Sequence, residues 1–225
     1  MGTVPVVPFS MRPNCRVERS DAMSDDYDSL EEAKKHCGPI TRFDLSVVQA
    51  MEPYSDNPVI GAIGEVSELA DQPPLVATSL VVLVSGVVLR RPTIALTGLR
   101  MIAAHSMATG IKALIKTNLN RPRPDVVGKE GRHEVEKDET AGSDGKKKSF
   151  PSGHTAGAVA VARAVTRGHP AAAPYVYPAA MVAGLIQIPR KSHFPSDVFA
   201  GFIIGMVAEA ASRAVLRRLL PRLLR

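Results

Sequence analysis

Apolar residues gather in long runs of helical spacing, with polar and charged residues collected between them. Residues 72–89 run 18 positions without a charge and close on Arg90-Arg91-Pro92. A second run, 93–116, is interrupted by Arg100, His105 and Lys112. The others are 152–167, 170–188 (apolar around Pro174 and Pro178) and 196–216. Their lengths, roughly 15 to 24 residues, suit helices close to a bilayer's span. Upstream, Val59, Ile60, Ile63, Val66 and Leu69 recur at helical intervals before Pro73-Pro74. That piece predicts an amphipathic helix lying along a membrane surface or capping a bundle. No stretch alternates with strand period. The pattern predicts an all-α, membrane-embedded bundle of about five core helices, residues 57–225, behind a polar N-terminal tail, residues 1–56. The tail carries two short amphipathic pieces, near 29–36 and 43–51, and a charged linker is expected at 125–149.

Charge changes the picture through its distribution more than its net value of +6. Residues 1–73 hold 6 Lys+Arg against 13 Asp+Glu, and residues 125–149 hold 6 against 7. The basic excess therefore lies with the helices and the C-terminus. If the first core helix starts on one side, Arg90-Arg91, Arg163, Arg167 and the C-terminal arginines all fall on the other. That asymmetry is what the positive-inside rule expects of a cytoplasmic face. It supports a multi-pass protein of a bacterial inner membrane. Gly153/Gly157 and Gly201/Gly205 form GxxxG pairs suited to close helix contact. Aromatic residues that would stack on bases are sparse, so nucleic acid is not an expected partner. The two cysteines, Cys15 and Cys37, form no CxxC or zinc pattern. The N-terminus lacks a secretory-signal pattern, and Val6 stands where myristoylation needs Ser or Thr. The oligomeric state is not legible.

Three segments carry chemistry, and the topology puts all of them on the side opposite the arginines. Lys116 and Arg123 flank the exit of the second core helix, in KTNLNRPRP. Arg holds phosphate oxygens with a planar fork of donors. Pro151-Ser152-Gly153-His154 opens the third core helix. Ser152 is a natural N-cap, the free amides there attract an anion, and Gly153 admits a ligand close to the backbone. His193 and Asp197 sit at the start of the fifth. A carboxylate on one ring nitrogen leaves the other free as a nucleophile. Two histidines and an Asp can also hold a cation, but Lys116, Arg123 and Arg190 surround the position with like charge. The expected chemistry is therefore independent of metal and cofactor.

K-x6-R-P, P-S-G-H and H-x3-D, in this order, resemble the type 2 phosphatidic acid phosphatase and vanadium haloperoxidase superfamily. The resemblance spans about residues 57–216. It implies that His193 attacks phosphorus to form a phosphohistidine, that His154 protonates the leaving oxygen, and that Asp197 orients His193. It also implies that Lys116, Arg123, Ser152 and the Gly153 amide hold the phosphoryl oxygens. The superfamily's third motif usually begins Ser-Arg, where this chain has Ile186 and Gln187. Arg190 is the expected replacement for the missing guanidinium. The activity implied is hydrolysis of a phosphorylated lipid, of the phosphatidate or isoprenoid diphosphate type, on the extracytoplasmic side of the bilayer. The alternatives are a soluble acid phosphatase or vanadium haloperoxidase of the same fold, and a non-catalytic membrane protein that keeps the pocket.

Overall fold

The computed structural model describes residues 38–121, 123–124, 136–137 and 148–220. Cys15, Cys37, the amphipathic piece at 29–36 and most of the charged segment 125–149 lie outside the described residues.

Seven α-helices appear among the described residues. They are α1 (Pro39–Met51), α2 (Pro58–Ser67), α3 (Gln72–Val88), α4 (Pro92–Asn118), α5 (Gly153–Gly168), α6 (Ala173–Leu185) and α7 (Pro195–Leu219). The last five are the core helices that the apolar runs predict. Each start has a local cause. Asn57 caps α2, its side chain accepting the Val59 N–H, and Pro58 occupies the first helical position. Ser152 caps α5, with its hydroxyl facing the Thr155 N–H. Pro195 opens α7 after the extended Phe194. Between α3 and α4, Arg90 turns the chain with left-handed backbone (φ 53°).

α5 is the central helix, packed against α3, α4, α6 and α7, while α4 also packs on α3 and α7. Small residues make this closeness possible. Ala104, Ala108, Ala160 and Ala208 are buried at the α4–α5–α7 junction. A Cβ on Gly201 would lie 2.6 Å from the Ser152 carbonyl oxygen, and one on Gly205 would lie 2.7 Å from that of Ala156. Gly205→Val is therefore expected to push α7 off α5 and lower stability by about 1–3 kcal/mol, read as a drop in the unfolding midpoint in detergent.

The outer surface is apolar over much of its area. Leu80, Val81, Val84, Val87 and Val88 of α3 are exposed, as are Tyr175, Met181 and Val182 of α6 and Phe199, Ile203 and Val207 of α7. Water tolerates few patches of that size, whereas lipid tails cover them readily. Among the described residues, α7 alone is long and apolar enough to cross a bilayer by itself, and 58–70 with 72–88 passes the same criterion as a pair bent by 55°. On α2 the apolar residues Val59 and Val66 point outward while Gly64 and Ser67 face the bundle, and Leu69, in the turn that follows, is exposed as well.

Candidate functional site

The three motif segments meet at one end of the bundle, where α4 ends and α5 and α7 begin. Backbone hydrogen bonds tie them together. The Ser152 N–H donates to the Asp197 carbonyl (3.1 Å), joining the openings of α5 and α7. The Ser149 N–H donates to the Arg121 carbonyl (2.7 Å), joining the exit of α4 to the approach of α5. Lys116 Nζ donates to the Lys148 carbonyl (2.9 Å), and Lys148 Nζ returns a bond to the Lys116 carbonyl (2.8 Å). A two-residue ladder, Leu119–Asn120 against Glu136–Lys137, extends that connection. Segments far apart in sequence are thus fastened by main-chain bonds and by two lysine side chains that donate to main-chain carbonyls.

His193 sits on a tight loop. Lys191 adopts left-handed backbone (φ 55°), and the N–H groups of Ser192 and His193 both donate to the Gln187 carbonyl. The imidazole is buried, its Nδ1 lies 3.9 Å from Asp197 Oδ2, and that nitrogen makes no hydrogen bond. The carboxylate is occupied elsewhere. Asp197 Oδ2 accepts the Phe194 N–H (2.9 Å), and Oδ1 accepts from Arg121 (2.7 Å). The arrangement is a close electrostatic pair, not a hydrogen-bonded one.

Burial pushes the His193 imidazole below its ordinary value of 6.5; Asp197 opposes this, and the charges of Arg123 and Lys116 add to it. The sign of the consequence follows directly. Above pH 6.5 the ring is neutral and carries a free lone pair. As pH falls through the lowered pKa it takes up a proton and loses that lone pair, and folded-state stability falls over the same range because the unfolded chain binds the proton first. The acid limb of kcat/KM is expected to lie below pH 6.5, checked by a pH–rate profile.

The cations around His193 have few partners of opposite charge. Among the described residues no carboxylate pairs with Lys112, Lys116 or Arg123, and Arg123 Nε is buried without a hydrogen bond. Lys112 reaches the opening of α5, since a Cβ on Gly153 would meet its Nζ at 3.1 Å. Lys112, Arg123 and Lys148 are like-charged neighbours of Lys116, and Asp197 alone opposes them there. Such a group repels itself unless an anion sits among it.

The other expected site residues are placed differently. His154 is half-buried at the start of α5, with Nε2 3.4 Å from Glu68 Oε2. Arg190 donates to Glu68 Oε1 (2.6 Å) and to the Gly64 carbonyl (3.1 Å), so it is held beside His154 by the same carboxylate. Gln187, at the position of the superfamily's usual arginine, is buried and donates to Ser67 Oγ (3.1 Å) and the Ala183 carbonyl (3.3 Å). It anchors the His193 loop to α2. Glu68, Asp71 and His154 offer ligand atoms within 4.8 Å of one another, the one set among the described residues able to hold a metal ion. Both carboxylates are exposed, and Arg190 already takes one oxygen of Glu68.

Two further residues enter the site, one from the KTNLNRPRP segment and one from α1. Arg121, between the motif residues Lys116 and Arg123, spans Asp197 and Asp44 (2.6 Å) and lies over the Phe194 ring at 4.1 Å. Asp44, on α1, is fully buried and accepts the Ser196 N–H (2.9 Å) and the Ser196 hydroxyl. α1 lies within residues 1–56, which read as polar tail, yet Leu45 and Val48 pack against Phe194. Its signal in the sequence is the amphipathic piece at 43–51, whose spacing puts Leu45 and Val48 on one face.

Comparison with known proteins gives two kinds of result. The profile of the PAP2 superfamily matches residues 96–220, more than half of the chain. The fold is similar to the crystal structure of Aquifex aeolicus LpxE, with 21% identity, a TM-score of 0.56, and coverage of 76% of this chain and 94% of that one. It is also similar to the transmembrane PAP2 type phosphatidylglycerolphosphate phosphatase from Bacillus subtilis, with 17% identity, a TM-score of 0.61, and coverage of 87% and 96%. No curated protein matches the chain in sequence.

Proposed function

The chain belongs to the PAP2 superfamily, and from that membership we propose that it is a membrane-embedded phosphatase, hydrolysing a lipid phosphomonoester or diphosphate through a phosphohistidine on His193. The observation that carries this reading is the cup of cations Lys112, Lys116 and Arg123, which have no carboxylate partner among the described residues, beside a buried imidazole with a lowered pKa. The cup takes a tetrahedral oxyanion. The neutral ring attacks phosphorus, the nitrogen–phosphorus bond forms, and the phosphorus–oxygen bond to the alcohol or phosphate leaving group breaks. His154 gives its proton to that leaving oxygen. In the second half His154 takes a proton from water, the hydroxide attacks phosphorus, and the bond to His193 breaks, releasing phosphate. Lys116, Arg123, Ser152 and the Gly153 amide stabilise the charge on the equatorial oxygens. Asp197 stabilises the imidazolium through space, and Arg190 acts on His154 through Glu68.

Outward apolar faces on α3, α6 and α7 support a bilayer location with several crossings, and a substrate with a phosphate head and an apolar tail reaches the site from lipid. One of the two similar structures is that of a phosphatidylglycerolphosphate phosphatase, which supports a glycerophospholipid phosphate as substrate. The active site is assigned to the extracytoplasmic side, away from the arginine-rich end. The test is an assay in detergent with chelator present, across phosphatidate, phosphatidylglycerol phosphate and isoprenoid diphosphates, with rapid acid-free quench to trap phosphoenzyme. Phosphate release without metal and label on His193 is the expected result. No release from any lipid phosphate, or release that requires added metal, overturns the reading.

A further inference from the structure

We propose that Asp44 is a positioning residue of the reaction, which shares Arg121 with Asp197 and so preserves a net negative charge beside His193. The inference rests on the reading of His193 as nucleophile. Arg121, Asp44 and Asp197 are all buried, at 3%, 0% and 0% exposure, and their contacts are 2.6 and 2.7 Å. A guanidinium against Asp197 alone would make a neutral pair. The imidazolium that forms as His193 attacks would then face no net counter-charge. A second carboxylate on the same guanidinium leaves the three groups with one negative charge, at a depth where solvent screens little. Asp44 also fixes geometry, because it holds the Ser196 N–H and hydroxyl and thereby the first turn of α7. It lies outside residues 96–220, so the superfamily match does not carry this assignment.

The charged groups facing His193 are Asp197 from α7 and Lys116 and Arg123 from the exit of α4, with Arg121 and Asp44 of α1 behind Asp197. In the full-length protein, Asp44→Asn keeps an acceptor for the Ser196 N–H and removes one charge. It is expected to lower kcat at least ten-fold, to leave KM within about two-fold, and to move the acid limb of the pH profile to lower pH. Adding Arg121→Gln restores the net charge, so the double variant is expected to turn over at least three-fold faster than Asp44→Asn alone. A purely structural contribution predicts the opposite, a further loss. Unchanged kcat and acid limb in Asp44→Asn, or a double variant no faster than the single one, would overturn the proposal. Should Asp44→Asn not fold, Asp44→Glu decides with the same profile: an acid limb at the wild-type position sustains the charge argument, and a displaced one sinks it. Full activity in His193→Ala would remove the underlying reading instead, an outcome that involves no change at Asp44.

An independent observation lies at the opposite end of the bundle. Where α5 and α7 end, Arg100, Arg167, Arg213 and Arg217 line a cavity of about 130 Å³ with Glu209 and Ser212. Glu209 is buried and takes Arg163 (3.3 Å), Arg167 (3.5 Å) and Arg213 (3.9 Å). Arg100 and Arg217 have no ion pair among the described residues. Helix C-termini and the positive-inside rule attract arginine to this end, but neither explains four guanidinium groups lining one cavity in which Glu209 is the one acidic residue. That space is well above the roughly 10–15 Å³ one water needs.

We infer that this cavity binds a phosphate-bearing anion, held by arginine forks. Val207, Val215 and Leu219 are exposed on α7, so a phospholipid headgroup can occupy the cavity with its chains along that helix. Native mass spectrometry from detergent tests it with phosphatidylglycerol, phosphatidylcholine and inorganic phosphate as probes. Retention of phosphatidylglycerol but not phosphatidylcholine, cut at least five-fold by Arg100→Gln with Arg217→Gln, assigns a lipid source. Retention of inorganic phosphate alone, with the same dependence on the arginines, assigns the free ion. Retention unaffected by the double variant, or of neither phosphate probe, overturns the site. If that variant does not fold, Arg217→Lys, which keeps charge and loses the fork, is expected to weaken retention, and unchanged retention counts against the site.

Discussion

His193→Ala is expected to reduce turnover by about 10⁴-fold or more and to abolish trapping of a phosphoenzyme. The magnitude follows from what remains. Without the imidazole the cationic cup still binds the substrate, so KM changes little, but water must attack phosphorus directly. The substitution also removes a buried ring whose Nδ1 makes no hydrogen bond. No donor or acceptor is orphaned by the change, so the variant is expected to fold and to keep its affinity for a non-hydrolysed phosphate analogue. A variant that retains lipid phosphate hydrolysis above one-tenth of wild type, measured by phosphate release, would contradict the mechanism.

Arg123→Gln is expected to lower kcat/KM by about 10²–10³-fold while leaving the thermal midpoint unchanged or higher. The two halves of this prediction have one cause. Arg123 adds its charge to that of Lys116, no carboxylate pairs with it among the described residues, and its Nε is buried without a hydrogen bond. In the empty site the guanidinium costs stability through like-charge repulsion, and it recovers that cost only when an anion fills the cup. Functional sites commonly trade stability in this way. Kinetics and calorimetry on one preparation check both halves. A clear fall in midpoint with little loss of activity would show that Arg123 is a structural cation. Arg123→Lys, which keeps the charge but not the fork, is expected to fall between the two.

Much of the site was legible because its parts are local. Ser152 before Gly153-His154 and Pro195 after Phe194 are helix openings that can be read residue by residue. Lys116 and Arg123 flank a proline-stiffened exit. Other parts depend on partners that no spacing reveals. Asp44 looked like one acid among many in an acidic tail, because its meaning comes from Arg121, 77 positions away. Arg190 was expected as a free phosphate-binding cation, but its place beside Glu68 is set by how α2 folds over the loop. Gln187 lies where an arginine is usual, and its side chain turns to Ser67.

Sequence alone determined the five core helices, their order, and the end of the bundle to which each motif belongs. Periodicity, caps and charge asymmetry act within a segment or between neighbours, so they can be read before folding. Only the tertiary structure decided which charges meet. A hydrogen bond or ion pair depends on separations of a few ångströms, and across unrelated segments those are set by packing, such as the close approach of Gly201 and Gly205 to α5. The pairing of Arg121 with two acids, the open cup around Arg123, and the arginine-lined cavity at the far end all arise there.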